Sequence, residues 1–145
     1  MREAHLRCLR NIEGLPVSLL LRDSTEGLSR CVVDYGLESF DLIYVDGDHE
    51  AHRALSDIAV SFHLLKPSGW LLIDDLHLHA CRRRTNGTPK VFEAVTSWES
   101  CVGDMAELVW ESSHQAMYRK RSRDELHGIA LAKRKAPPIQ EALRV

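Results

Sequence analysis

Carboxylate side chains follow directly after three short apolar runs of the sequence. These acids and a neighbouring histidine are Asp23, Asp46, Asp48, His49, Asp74 and Asp75. If the three runs are parallel strands, their carboxyl ends meet at one edge of a sheet, where open α/β sheets bind their ligands. Crowded carboxylates repel one another and persist only with a cation, a proton or hydrogen-bond donors between them. The pattern therefore predicts a cation-binding or proton-transfer site at that edge.

Each of these acids also has a simpler interpretation, because an acid after a strand often caps the helix that follows. For Asp23 the two interpretations are balanced, since the residues after it are typical of a helix start. For Asp46, Asp74 and Asp75 taken together the functional interpretation is favoured, because three carboxylates at two neighbouring strand ends exceed what capping requires.

A second set of metal ligands competes with the carboxylates. Four of its members alternate along the chain after the third run: Asp75, His77, His79 and Cys81. The others follow the second run: Asp46, His49 and His52. Imidazole and thiol ligands would suit a softer ion such as zinc. Alternation in a loop is not a usual zinc spacing, so zinc stays an alternative to a hard divalent ion.

The apolar runs that must position these groups are short enough to be buried strands. They are Val17–Leu21, Phe40–Val45 and Trp70–Ile73. Apolar residues at helical spacing, with glycine or proline at the ends, predict helices around them. These predicted helices are Arg2–Ile12, Asp23–Tyr35, Glu50–Leu65 and Pro89–Cys101. The alternation indicates an α/β fold with a parallel sheet that helices cover on both faces.

The rest of the chain predicts a polar loop and then further strands. The loop spans Leu76–Thr88, and the strands are Ala106–Glu111, Gln115–Arg119 and His127–Ala132. Two prolines and several charges near the end favour a mobile tail. We therefore expect one domain over residues 1–133 and a flexible tail over residues 134–145.

The overall composition does not point to a nucleic-acid or membrane partner. The net charge of −2 over 145 residues gives no bulk attraction to nucleic acid or to an anionic membrane. Charged residues follow Met1 without an apolar signal segment, and no apolar run approaches the roughly 20 residues of a membrane span. The four cysteines form no CxxC pair and are expected to be reduced thiols. The sequence predicts a cytoplasmic protein with no nucleic-acid or membrane partner.

One long stretch resembles a known enzyme family. The segment FDLIYVDGDHEAHRALSDIAVSFHLLKPSGWLLIDDL, residues 40–76, is similar to class I S-adenosylmethionine-dependent methyltransferases, above all to small-molecule O-methyltransferases with a DGDH strand end and a later DD pair. LLLRDSTEGL and GTPKVFEAVTSW resemble their third strand with its acidic turn and the helix after their metal loop. The resemblance covers roughly Arg2 to Lys133, and it implies a partial doubly wound, Rossmann-like sheet, mostly parallel, with an antiparallel C-terminal strand.

The resemblance implies a role for each acid. Asp46, Asp74 and Asp75 match the ligands of Mg²⁺, with Asp46 also beside the cofactor, and His49 matches a general base. The turn at Asp23 and Ser24 matches the acidic turn that contacts the adenine of S-adenosylmethionine in this family. Bound Mg²⁺ would hold a substrate hydroxyl and lower its pKa. The implied activity is O-methylation of a small molecule or sugar.

The sequence departs from the family in two places. Ser68 stands where the family usually has the first of two glycines, and the eight glycines form no G-x-G loop. That loop holds the methionine end of the cofactor in the family, so we expect this chain to lack the N-terminal cofactor-binding part. Two rivals therefore stay open: a truncated, inactive remnant that acts as a binding module, and a metal-dependent hydrolase. An uncovered sheet edge would also favour a homo-oligomer.

Overall fold

The computed structural model describes Arg7, residues 9–76 and residues 90–135, with the side chains of residues 134 and 135 left out. Residues 9–12 are helical, as predicted. The elements that follow are α1 (Ser24–Tyr35), β1 (Phe40–Val45), α2 (Ala51–Leu64), β2 (Leu65–Ile73), α3 (Lys90–Val102), a 3-10 turn (Gly103–Met105), β3 (Ala106–Glu111), β4 (Ala116–Lys120) and α4 (Arg123–Lys135). No helix in these ranges combines the length and the apolar character needed to cross a bilayer.

The four strands form one mixed sheet in the order β1-β2-β4-β3. β1 and β2 are parallel and are joined through α2, whereas β4 is antiparallel to both β2 and β3. Val45 pairs with Ile73, so the carboxyl ends of β1 and β2 lie side by side. This confirms the α/β fold and the prediction that Asp46 and Asp74 share one edge of the sheet.

The core lies between one face of the sheet and the helices α2 and α3. It is built from Ile58, Phe62, Leu71, Ile73, Val91, Val95, Trp98 and Tyr118. Phe62, Trp98 and Tyr118 pack edge to face, with ring centroids 5.0–5.2 Å apart. On β1, by contrast, Leu42 and Tyr44 are 57% and 45% exposed. In the described part of the chain, helices therefore cover one face of the sheet rather than both.

The prediction of a buried strand at Val17–Leu21 is wrong. The segment has no regular secondary structure and takes no place in the sheet, and Leu19, Leu20 and Leu21 are all exposed. A strand needs neighbours that accept and donate its backbone hydrogen bonds. The described residues offer this segment no such neighbour, so its apolar composition alone does not make it a strand.

The prediction of a strand at His127–Ala132 is also wrong, because these residues belong to α4. The helix begins with a capping box: the Ser122 amide donates to the Glu125 carboxylate at 2.8 Å, and the Glu125 amide donates to the Ser122 hydroxyl at 3.3 Å. α4 continues to Lys135, beyond the predicted domain boundary. The predicted loop over residues 77–88 and the tail over residues 136–145 lie outside the described residues.

The entry into β2 contains a tight turn that the sequence predicted only as a helix break. The ladder with β1 is interrupted between Leu65 and Trp70, and Ser68 has a left-handed backbone with φ +67°. At Gly69 a Cβ would lie 2.9 Å from the Lys66 carbonyl oxygen, so only glycine fits there. The serine thus occupies a backbone conformation that a glycine would adopt more easily.

Candidate functional site

Three potential metal ligands converge beyond the carboxyl ends of β1 and β2. Asp46 follows β1, His49 lies before α2, and Asp75 follows β2. One ligand atom from each residue lies within 4.8 Å of the other two. His49 Nε2 is 2.7 Å from the Asp75 carboxylate, and both side chains are partly buried. The parallel pairing of β1 and β2 therefore assembles an acid–imidazole–acid cluster, as the sequence predicted for these residues.

Asp75 reaches this cluster through an unusual backbone. Its φ is +58°, a left-handed conformation that costs a non-glycine residue roughly 1–2 kcal/mol, with aspartate among the residues that tolerate it best. Hydrogen bonds hold the residue from both sides. Its own amide donates to the Asp74 carboxylate at 2.8 Å, and the next amide, of Leu76, donates to the His114 carbonyl at 2.9 Å.

Asp74 lines the same small cavity as the three potential ligands but is not one of them, and its carboxylate contacts β1. Its carboxylate accepts a hydrogen bond from the Tyr44 hydroxyl, which holds the pKa of Asp74 below its ordinary value. The same hydrogen bond raises the pKa of Tyr44 to about 12, so the phenol keeps its proton at neutral pH. The prediction that Asp74 ligates a metal stays a prediction, whereas Tyr44 is a contributor that sequence reasoning missed.

The start of α1 lies next to the cluster but is held by different contacts. Asp23 caps α1 by accepting the Thr25 amide at 3.0 Å, and Asp48 accepts the Glu50 amide at 2.8 Å. Arg53 on α2 lies 3.8 Å from the Asp23 carboxylate and 3.3 Å from that of Asp48. The capping interpretation of Asp23 is thus confirmed, and its contact to a cofactor stays a prediction.

Asp57 is a buried acid that the sequence analysis overlooked. It is 4% exposed on the inner face of α2, and its Oδ1 has no hydrogen-bond partner within the described ranges. Burial raises the pKa of Asp57, and a hydrogen bond from Ser24 offsets this only in part. A Cβ on Gly47 would lie 3.1 Å from Asp57 Oδ2, so the loop after β1 packs tightly on this carboxylate. Its signal was an acid between Ala54 and Ser61 on the buried helix face.

Two cavities border the acidic cluster. The first encloses about 10 Å³, and its lining includes Asp46, His49, Asp74 and Asp75. This is close to the volume that one water molecule needs, and it also suits a single ion. The second encloses about 290 Å³ and is lined by Asp23, Ser24, Gly47, Asp57 and, again, Asp46. An ion-sized cleft therefore opens beside a groove large enough for part of an organic ligand.

The cluster can bind a hard divalent cation through carboxylate oxygens, and it can hold or move a proton at His49. The structure brings together Asp46, His49 and Asp75, and Asp23 and Ser24 line the larger groove with Asp46. The zinc alternative cannot be placed, because residues 77–81 lie outside the described ranges.

Comparison with known proteins gives a family match over half of the chain. The family model of a methyltransferase domain matches residues 4–76, which include Asp23, Asp46, His49 and both acids after β2. No curated protein sequence gives a significant match.

Solved structures with the same fold are larger than this chain. A Corynebacterium glutamicum protein solved by the Northeast Structural Genomics Consortium superposes with a TM-score of 0.59 at 15% identity, over 84% of this chain and 56% of its own. The MycE methyltransferase of mycinamycin biosynthesis, solved in complex with Mg, SAH and mycinamycin VI, gives a TM-score of 0.58 at 19% identity, over 89% of this chain and 36% of its own. This chain thus spans about half, or less, of these two proteins, and the identities establish the fold alone.

Proposed function

This chain belongs to the methyltransferase domain family, and from that premise we propose that it methylates a hydroxyl group of a small molecule or sugar, with S-adenosylmethionine as methyl donor and a divalent cation bound at Asp46 and Asp75. The observation that carries the proposal is the convergence of Asp46, His49 and Asp75 beside a groove of about 290 Å³.

The two carboxylates fit a magnesium-like ion. Hard oxygen ligands are those that Mg²⁺ prefers, and the ion usually keeps several of its waters, so few protein ligands are needed. When bound, the ion would supply Lewis-acid polarisation that lowers the pKa of a substrate hydroxyl. Asp46 and Asp75 would hold the ion, because their oxygens lie close together and have no lysine or arginine ion pair within the described ranges.

His49 is assigned to proton transfer rather than to metal binding. A neutral imidazole can accept the hydroxyl proton, and Asp75, 2.7 Å from Nε2, orients the ring. When bound, S-adenosylmethionine would supply an electrophilic methyl group to the substrate oxygen, and His49 would take up the hydroxyl proton. The larger groove, with Asp23 and Ser24 at one side and Asp46 at the other, is the proposed place for the cofactor.

Transfer of labelled methyl groups tests this function. The chain is incubated with methyl-labelled S-adenosylmethionine, Mg²⁺ and a panel of sugars and phenols, and incorporation is measured with and without EDTA. We expect Mg²⁺-dependent incorporation that His49→Ala reduces by about 10²–10⁴-fold, the usual contribution of a general base. His52→Ala is the matched control, because His52 is an exposed histidine three residues away. Incorporation that is unchanged in His49→Ala would contradict the proposal.

The second candidate is a binding module without catalysis. The observation that favours it is the lack of any G-x-G among the eight glycines, since such a loop holds the methionine end of the cofactor in the family. Each missing hydrogen bond to a charged group weakens binding by roughly 1.5–3 kcal/mol. Equilibrium dialysis of the 145-residue chain with labelled S-adenosylmethionine should then show binding weaker than micromolar. Micromolar binding would reject this candidate.

A further inference from the structure

The two acids after β2 differ in what their oxygens contact. Asp75 directs its carboxylate to His49, whereas Asp74 has both oxygens in use inside the protein. Asp74 Oδ2 accepts the Tyr44 hydroxyl, and Asp74 Oδ1 accepts the Asp75 amide at 2.8 Å. The Asp74 amide in turn donates to the Val45 carbonyl at 3.0 Å. Asp74 is therefore tied to β1 through both its backbone and its side chain.

These contacts explain how a strained residue keeps its conformation. Asp75 has φ +58°, and such a conformation persists only where the surroundings fix it. The Asp74 carboxylate fixes the Asp75 amide, but a carboxylate on a short side chain can rotate unless its other oxygen is also bound. The Tyr44 hydroxyl supplies that second contact, and the Gln115 side chain adds a further hydrogen bond to Asp74.

Tyr44 is suited to this task because it is a neutral donor. A lysine or arginine in its place would add a positive charge beside the cluster and compete with a cation, whereas a phenol satisfies the Asp74 oxygen without a charge. Tyr44 is 45% exposed, so packing in the core does not account for its identity. It touches neither Asp75 nor His49 through any contact described above, so it would act through Asp74.

We propose that Tyr44 and Asp74 are positioning residues that hold the left-handed backbone of Asp75, so that the Asp75 carboxylate faces Asp46 and His49. Asp74 then supports the cation site instead of ligating the ion. The structural part of the inference concerns the protein alone, and only its consequence for metal affinity rests on the proposed function.

The structural part is tested without metal, by hydrogen exchange of the Asp75 amide followed by NMR. Tyr44→Phe keeps the ring and removes the hydroxyl, so we expect the Asp75 amide to exchange about fivefold faster, as for the loss of one modest hydrogen bond. Tyr35→Phe is the matched control: Tyr35 is also exposed, but it packs on Phe40 at 5.5 Å, away from the acids. Unchanged exchange at Asp75 in Tyr44→Phe would overturn the inference.

The metal part is tested by calorimetry with Mn²⁺. Tyr44→Phe should weaken Mn²⁺ binding by about tenfold, as outer-shell partners of metal ligands commonly do. In an Asp74→Ala background the same substitution should have no further effect, because Tyr44 acts only through Asp74. Additive losses, or wild-type affinity in Tyr44→Phe, would overturn the inference. If the wild type binds no Mn²⁺, the metal proposal fails, and the exchange measurement still decides the role of Tyr44.

Discussion

Asp23 and Asp48 lie at the same end of the fold as Asp46 and Asp75, but the two pairs of carboxylates have different hydrogen-bond and ion-pair partners. Asp23 and Asp48 each accept a backbone amide and share the guanidinium of Arg53. Asp46 and Asp75 face each other and His49, and no lysine or arginine in the described ranges forms an ion pair with either.

The difference separates acids that build the scaffold from acids that are available to a ligand. A carboxylate with an amide donor and a cation stabilises the turn it belongs to. Two carboxylates that face each other repel, and a cation between them removes that repulsion. Removal of the Asp23 or Asp48 carboxylate should therefore lower the free energy of unfolding. Removal of the Asp46 or Asp75 carboxylate should instead weaken cation binding and leave the free energy of unfolding unchanged.

The largest stability effect is expected at Asp57, the acid that the fold buries with one oxygen unpaired. Asp57→Asn should raise the free energy of unfolding by about 1–2 kcal/mol at neutral pH, because it removes a poorly compensated buried charge. The pKa of Asp57 is raised in the folded state, so the folded protein binds this proton more tightly than the unfolded chain does. Wild-type stability should then fall as pH rises from about 3.9, the ordinary aspartate value, through the raised folded pKa.

Urea unfolding at a series of pH values measures this effect. The stability advantage of Asp57→Asn should be small in acid, grow across that window and stay constant above it. Asp34→Asn is the control, because Asp34 is exposed on α1 and pairs with Arg30. An advantage that is independent of pH would mean that the charge of Asp57 is not its cause.

A pair of alanine substitutions tests the comparison itself. Asp23→Ala should lower the free energy of unfolding by about 1 kcal/mol, since it removes the cap of α1. Asp46→Ala should change it by less than about 0.5 kcal/mol in metal-free buffer, because Asp46 is exposed and pairs with no lysine or arginine among the described residues. Thermal or urea unfolding in the presence of EDTA gives both values. Equal losses in the two variants would remove the distinction between the two groups of acids.

The smallest effect concerns Ser68, a residue with a left-handed backbone near the start of β2. Ser68→Gly should raise the free energy of unfolding by about 0.5–1 kcal/mol, since Ser68 has φ +67° and no described contact with the acids. Mn²⁺ affinity should not change. Ser97→Gly, at an exposed site within α3, is the control and should lower stability by a similar amount. A loss of stability in Ser68→Gly would show that the serine side chain itself stabilises the turn.

The sequence predicts the two parallel strands and the helix between them better than it predicts the edges of the fold. β1 and α2 are readable because each carries its own periodic apolar pattern, and their parallel connection places Asp46 beside Asp74 and Asp75. The segment Val17–Leu21 has an equally apolar pattern, but strand formation depends on a neighbour that its own residues do not encode. At α4 the capping box of Ser122 and Glu125 is visible in the sequence, and the apolar residues after Leu126 belong to a helix rather than to the predicted strand.

The different contacts of Asp74 and Asp75 could not be predicted from the sequence. Two adjacent acids look equivalent in sequence, and they differ only because the backbone turns left-handed at Asp75 and a tyrosine from the neighbouring strand binds Asp74. The buried position of Asp57, in contrast, could have been found from the helical spacing of Ala54 and Ser61 around it.

Mn²⁺ binding by two aspartate variants tests the central claim most directly. Asp46 and Asp48 are two residues apart, but Asp46 faces His49 and Asp75, whereas Asp48 pairs with Arg53. By calorimetry, Asp46→Asn should bind Mn²⁺ about a hundredfold more weakly than the wild type or worse, because it loses a direct ligand where outer-shell partners alone account for about 10–100-fold. Asp48→Asn should bind Mn²⁺ as the wild type does. Equal affinity in Asp46→Asn and the wild type, or an equal loss in both variants, would contradict the claim that Asp46 and Asp75 hold a cation beside His49.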